Sequence, residues 1–423
     1  MNKVTIITHL PFRKMGNQSL KRFVEMFLNN RCKVVLITDG QDPLGENSIA
    51  HENLEVISLK VSHNNKSNNS GKEKANASLL DMKSHQILLP YIDKNPFLGV
   101  FKKQVEFLYN VYKQLNIYKN INSNYSHLIN DSSLIVGYEA SRSFVAKKLA
   151  IDLKVPYINK YQGTVLRVCG RSVLKAILYY PKLFFGINKS DLCLMVNDGT
   201  DGEFWAKLRG NNNIRFRPHG VSEEDYRQVN VMSKASERLI IFNNASSADW
   251  KRTDRILRAL SKLSDSERKE IRLITTFFGP SLDFLKSYVE ENGLNECVEF
   301  VSNCDHIKSN EYIRNSSLLI MTNDMSNLGN PILESIYYNI PFITINDGSL
   351  AGICKPEEGG MFVDISPSFD EDLALLIRDL VKDRRILELK SNQLKDNTNV
   401  RSLVVEQRDE YENISKLFIN KEV

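Results

Sequence analysis

SSLLIMTNDMSNLGNPILES (residues 316–335) joins a strand-like run to a helical run through a loop of small and polar residues. The run SSLLIMT has the length of a buried strand, and an apolar helical pattern begins at PILES. Asn330 is predicted to cap the helix, with Pro331 as its first residue. A glycine loop before a helix start leaves backbone N–H groups that favour an anion, and ligands bind at the carboxyl ends of parallel strands. This stretch therefore predicts an α/β sheet with an anion site at its edge.

Glu334 lies one turn into the helix that follows this loop. A carboxylate cannot itself hold a phosphate, but it can accept hydrogen bonds from ribose hydroxyls while the loop and helix start hold a diphosphate. The pattern then favours a nucleotide diphosphate as the ligand. A second interpretation stays open at this point: Glu334 complements the helix dipole, which is worth about 0.3–1 kcal/mol.

Length and composition indicate a globular protein of two domains. With 423 residues, the chain exceeds the size of one hydrophobic core, so domains of roughly 200 residues are expected. No apolar run approaches the roughly 20 residues that cross a bilayer, and the N-terminus lacks a signal-peptide pattern. The six cysteines include no CxxC pair, and neither they nor the histidines have metal-ligand spacing. We therefore expect a cytoplasmic protein with reduced cysteines and no metal site.

The net charge of +5 hides a difference between the two halves of the chain. Residues 1–225 contain 31 Lys and Arg against 20 Asp and Glu, a balance of +11, and the remainder contains 25 against 31, a balance of −6. A basic first half suits a membrane surface or a phosphorylated acceptor, although plain solvation explains it equally well. RVCGRSVLKAILYYPKLFFG (167–186) mixes basic and large apolar residues, and a core helix with basic edges is favoured there over a helix lying on a membrane.

Strand-like and helical patterns alternate along the chain. KVTIITH, a helix from about Ser19 and KVVLIT form a first βαβ unit, which predicts a parallel sheet. A second series begins at RLIIFNN, so the pattern predicts two doubly wound, Rossmann-like domains that face a cleft. Residues 62–78 are polar and low in complexity and are expected to form a surface loop. The predicted domains are 1–225 and 226–400, and a helix within 401–423 is expected to cross back to the first domain.

SSADWKRTDRILRAL (246–260) is a second unusual helix start. A helix is predicted from Asp249 to about Leu263, with Lys251 and Arg252 in its first turn, where cations oppose the helix dipole by up to about 1 kcal/mol each. A bound diphosphate would offset this through charge-assisted hydrogen bonds of about 1.5–3 kcal/mol each. Pairing of these cations with Asp249 or Asp254 is the open alternative.

Two loops in the first half also lie at predicted strand ends. FRKMGNQS carries Arg13, Lys14 and Gly16 after the first strand, and it is expected to approach the same ligand from the opposite side. KYQGT places Gln162 before a glycine at another strand end, where an ordinary turn is the alternative. Gln162, Arg13 and Lys14 are predicted to lie on the acceptor side. Neither loop contains a complete dinucleotide-binding or P-loop motif.

Taken together, these motifs resemble the retaining glycosyltransferases of family 4, which have the GT-B fold. SNLGNPILES is similar to the family's EGFGLPLLEA-type signature, and YNIPFIT and GGMFVD are similar to its CGLPVIA and NGLLV. FNNASSADWKRTDRIL stands where GRLxxxKGxDxLL is usual, and FFGPSLDFLKSYVEENGLNECVEFVS resembles GxGPxxxxLxxxxxxLGLxxxVxFxG. RPHGV and KYQGT are similar to PNGVD and THG. The likeness covers nearly the whole chain and is strongest in 239–365.

The resemblance implies a role for each matching residue. Glu334 matches the second glutamate of a Glu-x7-Glu motif and would hold the donor ribose. Lys251 matches a lysine that contacts the diphosphate, and Gly16 matches a glycine loop packed against it. The loop around the helix start would face the donor sugar and phosphates at Asn327, Leu328, Gly329 and Asn330.

Three positions depart from the family pattern. The first glutamate of the pair is Ser326, the arginine of GRL falls on Ser246, and the histidine usually found before the glycine is Gln162. Arg252 stands where glycine is common and would replace the lost positive charge. These departures leave the donor sugar open.

The resemblance implies a GT-B glycosyltransferase that moves a sugar from a UDP- or GDP-linked donor to a hydroxyl acceptor with retention of configuration. It implies no metal and no other cofactor, a glycan or lipid-linked acceptor, and a role in bacterial surface polysaccharide or glycolipid assembly, such as lipopolysaccharide or capsule. It also implies a peripheral contact with the inner membrane, and no nucleic-acid partner is expected. Two alternatives stay open: a sugar-nucleotide epimerase on the same fold, and a catalytically degenerate binding or scaffold subunit.

Overall fold

The computed structural model describes residues 1–13, 18–40, 47–59, 82–87, 96–223, 238–245, 248–279, 281–302 and 304–419. Three predicted site residues lie outside the described residues, as does the predicted surface loop 62–78: Lys14, Gly16 and Ser246. The chain divides into two compact units between Pro218 and His219.

The first unit is built on a parallel sheet of seven strands in the order β3-β2-β1-β4-β5-β6-β7. Because helices cover both faces of such a sheet, its central strands are buried throughout, which explains their nearly continuous apolar sequences. The strands are β1 (Lys3–Thr8), β2 (Lys33–Thr38), β3 (Leu54–Ser58), β4 (Leu134–Tyr138), β5 (Tyr157–Tyr161), β6 (Leu192–Val196) and β7 (Ile214–Arg217).

Eight α-helices are described in the first unit, together with a 3₁₀ turn at Val165–Cys169. Their apolar faces contribute buried residues on both sides of the sheet. The helices are α1 (Gln18–Asn29), α2 (Pro96–Asn124), α3 (Ser126–Ile129), α4 (Ser143–Leu153), α5 (Val173–Tyr179), α6 (Pro181–Gly186), α7 (Gly202–Leu208) and α15 (Leu403–Ile419).

The second unit is built on a parallel sheet of six strands in the order β10-β9-β8-β11-β12-β13. Its strands are β8 (Leu239–Asn243), β9 (Ile271–Thr275), β10 (Val298–Phe300), β11 (Leu318–Met321), β12 (Phe342–Ile345) and β13 (Gly360–Val363). Its helices are α8 (Thr253–Ser261), α9 (Asp265–Lys269), α10 (Leu282–Glu291), α11 (His306–Asn315), α12 (Asn330–Tyr337), α13 (Phe369–Lys382) and α14 (Arg385–Leu394). Two 3₁₀ turns occupy Asp249–Lys251 and Pro356–Glu358.

Both sheets are doubly wound around their first strand. In the first unit the chain moves outward from β1 through β2 to β3 and then returns to place β4 on the other side of β1. The second unit repeats this order, with β11 returning beside β8. In sheets of this kind, ligands bind at the carboxyl ends of the two strands where the winding reverses. The topology therefore points to the loops that follow β8 and β11.

The described segment 82–87 belongs to the second unit, whereas the prediction assigned all of 1–225 to the first. Backbone oxygens explain the difference: the Ser84 carbonyl accepts a 2.7 Å hydrogen bond from Arg255 Nε, and the Gln86 carbonyl accepts from Arg252. The sequence around 82–87 carries no strand or helix pattern, so its attachment could not be read from periodicity.

The C-terminal helix α15 is part of the first unit. Glu410 receives hydrogen bonds of 2.7 and 2.8 Å from Lys160 at the end of β5, and Glu406 pairs with Arg215 and Arg217 of β7. Ile414 is fully buried in the core of this unit. Charged and apolar contacts along one helix thus hold the end of the chain against the first sheet.

Candidate functional site

The loops after β8 and β11 are joined to each other by hydrogen bonds at the carboxyl edge of the second sheet. The backbone N–H of Asp324 donates to the Trp250 carbonyl at 2.9 Å. Asn243, the last residue of β8, is 1% exposed, donates to the Ile320 carbonyl of β11 at 2.9 Å and accepts from Thr253 at 3.1 Å. These contacts fix the segment that carries Lys251 against the segment that leads to Glu334.

The predicted helix start at Asp249 is wrong in its first turn. Asp249–Lys251 form a 3₁₀ turn, Arg252 adopts a left-handed backbone with φ 53°, and α8 begins at Thr253. Lys251 and Arg252 therefore do not occupy the first turn of an α-helix, and the argument from an opposed helix dipole does not apply to them. A non-glycine residue in the left-handed region costs about 1–2 kcal/mol, so surrounding contacts must hold it there.

Arg252 belongs to a buried cluster of four charges. Its guanidinium donates two 2.9 Å hydrogen bonds to Asp254 and lies 3.3 Å from Asp324, which in turn pairs with Arg255 at 2.6 Å. All four side chains are fully buried. The predicted contact of Arg252 with a diphosphate loses its support, because internal carboxylates and carbonyls take up this guanidinium. The alternative interpretation, pairing with Asp254, is what the structure contains.

Lys251, one residue earlier, is in a different situation. Its ammonium lies 4.7 Å from the centre of the Trp250 ring, and no ion pair among the described residues includes it. Burial lowers the pKa of Lys251 to about 8, because water no longer solvates the charged form. A partly desolvated cation without a carboxylate beside it is suited to bind an anionic ligand.

Hydrogen bonds of Asn327 hold the loop after β11 in place. This side chain is fully buried: its Oδ1 accepts from the Asn323 N–H at 3.0 Å, and its Nδ2 donates to the Asn323 carbonyl at 2.9 Å and to Asp347 at 3.0 Å. Ser326 has φ 56°, a second strained residue at this edge. The side chains of Asn327 and Leu328 thus face the protein interior, and the backbone N–H of Asn327 donates to the Ser349 hydroxyl at 3.2 Å.

The helix α12 begins one residue earlier than predicted. Gly329 is the N-cap, Asn330 the first helical residue and Pro331 the second, because Gly329 retains an extended backbone with φ −93° and ψ 169°. That conformation is open to any residue. A Cβ placed on Gly329 would meet only Pro331 Cδ, at 3.6 Å, so neither backbone strain nor internal packing requires a glycine here. Pro331 has no N–H, and the N–H groups of Ile332 and Leu333 donate to the Gly329 carbonyl at 3.0 and 3.2 Å. The N–H groups of Gly329 and Asn330 make no described hydrogen bond, and the space beside them fits a closely approaching ligand.

Glu334 lies in the first half of α12 with a side chain that is 5% exposed. Its Oε1 is 3.0 Å from Nε2 of His306, the first residue of α11, which is 34% exposed. The sequence analysis did not single out His306, since α11 and α12 are brought together only by the sheet. The carboxylate is thus oriented by one partner, and its second oxygen can accept further hydrogen bonds.

Two predicted residues of the first unit are described. The Gln162 N–H donates to Glu139 at 2.9 Å, and its side-chain Nε2 donates to the Tyr138 hydroxyl at 2.5 Å. Arg13 forms an isolated antiparallel bridge with Asn47. These contacts fix both residues near the carboxyl edge of the first sheet, and their predicted acceptor-side role stays a prediction.

The same edge holds two carboxylates that the sequence analysis missed. Burial raises the pKa of Glu139, after β4, to about 7 and that of Asp198, after β6, to about 6. Gly163 has φ 116°, and a Cβ there would lie 2.1 Å from Asp198 Oδ2. The chain's own packing therefore requires this glycine. The signal in the sequence was a carboxylate one or two residues after an apolar strand, as in VGYE and MVND.

Neither a metal cluster nor a membrane span is found in the part of the chain that the structure describes. No group of three or more His, Cys, Asp or Glu side chains there is arranged to hold a metal ion. No described helix is both long enough and apolar enough to cross a bilayer. All six cysteines are free thiols, and all but Cys304 are buried.

Comparison with known proteins identifies the region that contains this site. Residues 224–400, most of the second unit, match the family model described as glycosyl transferases group 1. No curated protein matches the chain.

Solved structures match the chain over both units. Sucrose-phosphate synthase from Thermosynechococcus elongatus is 14% identical with a TM-score of 0.67, covering 99% of this chain and 100% of that one. Anabaena HepE, solved with UDP and glucose, is 12% identical with a TM-score of 0.63, covering 98% and 100%. WaaG, a glycosyltransferase involved in lipopolysaccharide biosynthesis, is 13% identical with a TM-score of 0.58, covering 96% and 98%.

The fold is that of the GT-B glycosyltransferases, as the sequence predicted. Lys251 and Glu334 both lie within the segment that matches the group 1 glycosyltransferase model. At these identities the structural likeness carries the fold alone, so substrate and mechanism must be argued from the residues of the site.

Proposed function

We propose that the protein is a glycosyltransferase that moves a sugar from a nucleotide diphosphate donor, UDP- or GDP-linked, to a hydroxyl acceptor. One observation carries the proposal: Lys251 and the loop leading to Glu334 follow the two strands where the second sheet reverses its winding, and a hydrogen bond joins their segments. The match of residues 224–400 to a glycosyltransferase family model supports the reaction class. The similarity to HepE, which was solved with UDP bound, supports the donor class.

Each part of the donor has a matching group in this site. The backbone N–H groups of Gly329 and Asn330, together with the open space at Gly329, suit the phosphates. One carboxylate oxygen of Glu334 is hydrogen-bonded to His306, and the other suits a ribose hydroxyl. The ammonium of Lys251 supplies positive charge to the diphosphate. The bound anion in turn stabilises the charged form of this lysine, which burial destabilises.

Catalysis in this proposal is electrostatic. When the bond between the sugar and the diphosphate breaks, negative charge grows on the leaving phosphate, and a preorganised cation stabilises the transition state more than the ground state. Lys251 and the backbone N–H groups of Gly329 and Asn330 fill that role, so the proposal requires no metal ion. Retention of the anomeric configuration follows from the family resemblance and is part of the proposal.

The acceptor side is proposed to lie on the first unit. The basic balance of +11 over residues 1–225, which contain most of this unit, favours an acceptor that carries phosphate, such as a lipid-linked sugar. We propose a role in bacterial surface polysaccharide or glycolipid assembly, with peripheral contact at the cytoplasmic face of the inner membrane.

A donor panel tests this function. UDP-, GDP- and other nucleotide sugars are added to the protein, and thermal shift and slow release of free nucleotide diphosphate are measured. A stabilising donor that is also slowly hydrolysed supports a transferase. Conversion between two nucleotide sugars supports the epimerase, and binding without turnover, with acceptors supplied, supports the scaffold.

The role of Lys251 is tested by Lys251→Gln. We expect kcat to fall by about 10²- to 10³-fold, as for removal of one transition-state donor, while the melting temperature does not fall. Lys262→Gln, in the same unit but with a side chain that is 48% exposed, is the matched control and should retain activity. Equal activity of both variants would remove Lys251 from catalysis.

A further inference from the structure

Helix α2 exposes a stripe of large apolar side chains. Phe101, Val105, Leu108, Tyr112 and Leu115 follow a spacing of four and three residues, which places them on one side of the helix. Their exposed fractions are 69%, 50%, 66%, 62% and 37%. The stripe extends over roughly 20 Å at 1.5 Å per residue. Soluble proteins rarely expose a contiguous apolar surface of this kind without using it.

The orientation of the stripe is fixed by the opposite side of the helix. Ile117 and Ile121 are at most 4% exposed in the core of the first unit, and Asn110 and Gln114 are at most 9% exposed. Gln104 also donates a 2.9 Å hydrogen bond to the Ile177 carbonyl of α5. Contacts of the opposite side of α2 therefore fix the orientation of the helix and leave the stripe exposed.

Positive charge accompanies the stripe. Within α2 the only acidic residue is Glu106, against four lysines: Lys102, Lys103, Lys113 and Lys119. Two copies of this chain that paired through α2 would bring eight lysines together, which opposes self-association. An anionic lipid surface instead meets both features, since basic side chains reach the headgroups while aromatic and aliphatic side chains enter the acyl boundary.

A cavity of about 400 Å³ beside the stripe adds a built site for a headgroup. Tyr109 and Lys113 of α2 line it together with Arg142 and Lys182. Asp39 pairs with Arg142 and, at 3.0 Å, with Lys113, and Glu106 lies 3.7 Å from Lys103. No described ion pair includes Lys182.

The remaining groups that line the cavity do not neutralise its excess positive charge. His9 hydrogen-bonds to the Ser141 hydroxyl at 2.5 Å, and burial and the neighbouring Arg142 lower its pKa to about 4, so it is neutral. Burial lowers the pKa of Lys182, and the cations Arg142, Lys103 and Lys113 lower it further, while Glu106 opposes them. An anion in the cavity would relieve this repulsion.

We infer that the first unit docks on an anionic lipid surface through the α2 stripe, with a lipid phosphate taken up by the cavity that Lys113, Arg142 and Lys182 line. The identification of this lipid as the acceptor rests on the proposed function, but docking itself can be measured without any donor. The sequence analysis named a membrane surface as a partner for the basic first half, and the one segment that it weighed for this contact was 167–186.

Vesicle flotation tests the docking surface. The protein is mixed with vesicles of phosphatidylcholine alone or of phosphatidylcholine with phosphatidylglycerol, and binding is expected only to the anionic vesicles. The double variant Phe101→Ser, Leu108→Ser should lower that binding about tenfold or more, because two large side chains no longer enter the lipid. Lys182→Gln should lower it about fivefold through the lost charge.

A matched control uses exposed apolar residues of the second unit. Leu375 and Leu389 are 52% and 57% exposed, so Leu375→Ser, Leu389→Ser makes the same chemical change elsewhere and should bind as the unaltered protein does. Both double variants should keep the melting temperature, since the altered side chains are exposed. Inorganic phosphate provides the second arm. Binding of phosphate without any binding to vesicles would overturn the lipid as the source of the anion.

Other outcomes are equally decisive. Failure of the unaltered protein to bind anionic vesicles, or unchanged binding of the stripe variant, overturns the inference. A dimer in sedimentation that the stripe variant converts to a monomer, without lipid binding, means that a second copy covers the stripe. Thermal shift with UDP and GDP separates this from the proposed function: vesicle binding without any nucleotide effect leaves docking intact and refutes the donor site.

Discussion

The two sheets share one strand order, but the residues at their carboxyl edges differ. At one edge the chain's own packing accounts for the glycine and the charged groups, and at the other edge it does not. At the first edge, Gly163 is required by the chain itself, because its left-handed backbone lies against the Asp198 carboxylate. At the second edge, Gly329 has an ordinary backbone and open space beside it, and Lys251 has a desolvated ammonium. The comparison teaches that a glycine or a cation points to a ligand only where internal packing and internal ion pairs do not already explain it.

Neighbouring residues show the same contrast within the second unit. Arg252 and Lys251 were predicted to act together on a diphosphate, yet Arg252 is enclosed by Asp254 and Asp324 while Lys251 faces no described carboxylate. The enclosed cation holds the loop, and the other is the one that we propose to act on a ligand. The following predictions test this division.

The largest effect is expected from breaking the enclosed cluster. Asp324→Ala leaves Arg252 and Arg255 buried with one carboxylate fewer, and removal of one partner from a buried pair typically costs about 3–5 kcal/mol. The free energy of unfolding from urea denaturation should fall by that amount. Arg385→Ala, which removes the largely exposed partner of Asp383, is the control and should leave the urea midpoint unchanged. Equal midpoints for both variants would show that the cluster does not support the loop.

Glu334→Ala should weaken donor binding while the fold stays intact. Loss of a hydrogen bond to a charged acceptor costs about 1.5–3 kcal/mol, which is roughly a ten- to hundredfold rise in the donor Kd. His306 is 34% exposed and can turn to water, so the melting temperature should change little. Calorimetric titration measures the Kd, with Glu290→Ala on the exposed side of α10 as the control. An unchanged donor Kd would count against the ribose role.

The two glycines provide a direct test of the comparison. Gly163→Ala should lower the free energy of unfolding by about 1–3 kcal/mol, because φ 116° is strained for alanine and Asp198 must move. Gly329→Ala should leave stability within about 0.5 kcal/mol and should weaken donor binding, because the new methyl group occupies ligand space. Urea denaturation and calorimetric titration of both variants check these results. Destabilisation by Gly329→Ala with unaltered donor affinity would reverse the assignment.

The smallest effect is a pH dependence from Lys251. Because its folded pKa is about 8, donor affinity should be constant below that pH and should fall by up to about tenfold per pH unit above it, as the ammonium loses its proton. Without donor the sign is opposite: the unfolded chain keeps the lysine protonated at higher pH, so stability rises through this window. Titrations at several pH values check the first effect, and Lys251→Gln should abolish it. The same slope in that variant would assign the titration to another group.

Much of this organisation was predictable because it is local or periodic. β1, β2, β8, β9 and β11 are apolar runs between turn residues, and parallel pairing follows from their alternation with helices. The loop at 325–330 and the carboxylate of Glu334 were readable since a strand, a glycine and a helix start are contiguous in the chain. The helix boundaries were off by one to four residues, because a 3₁₀ turn and an extended glycine look like a first helical turn in sequence.

Helix α2 was missed for a physical reason. Its apolar residues lie on two sides, one buried in the first unit and one exposed, so no single polar face marks it as an amphipathic helix. The attachment of 82–87 to the second unit was missed because it depends on backbone carbonyls, which every sequence has. The partner of each carboxylate depends on which helices the sheet brings side by side, as with His306 and Glu334.

The sequence by itself determined the class of fold, the repeated winding of two sheets and the position of the loops where we propose that a ligand binds, because periodicity and turn residues act over a few neighbouring positions. Only the tertiary structure decided which of two adjacent cations is enclosed, which glycine is required by packing and which side of α2 faces outward. Those outcomes depend on burial and on partners distant in the chain, and no local pattern encodes either.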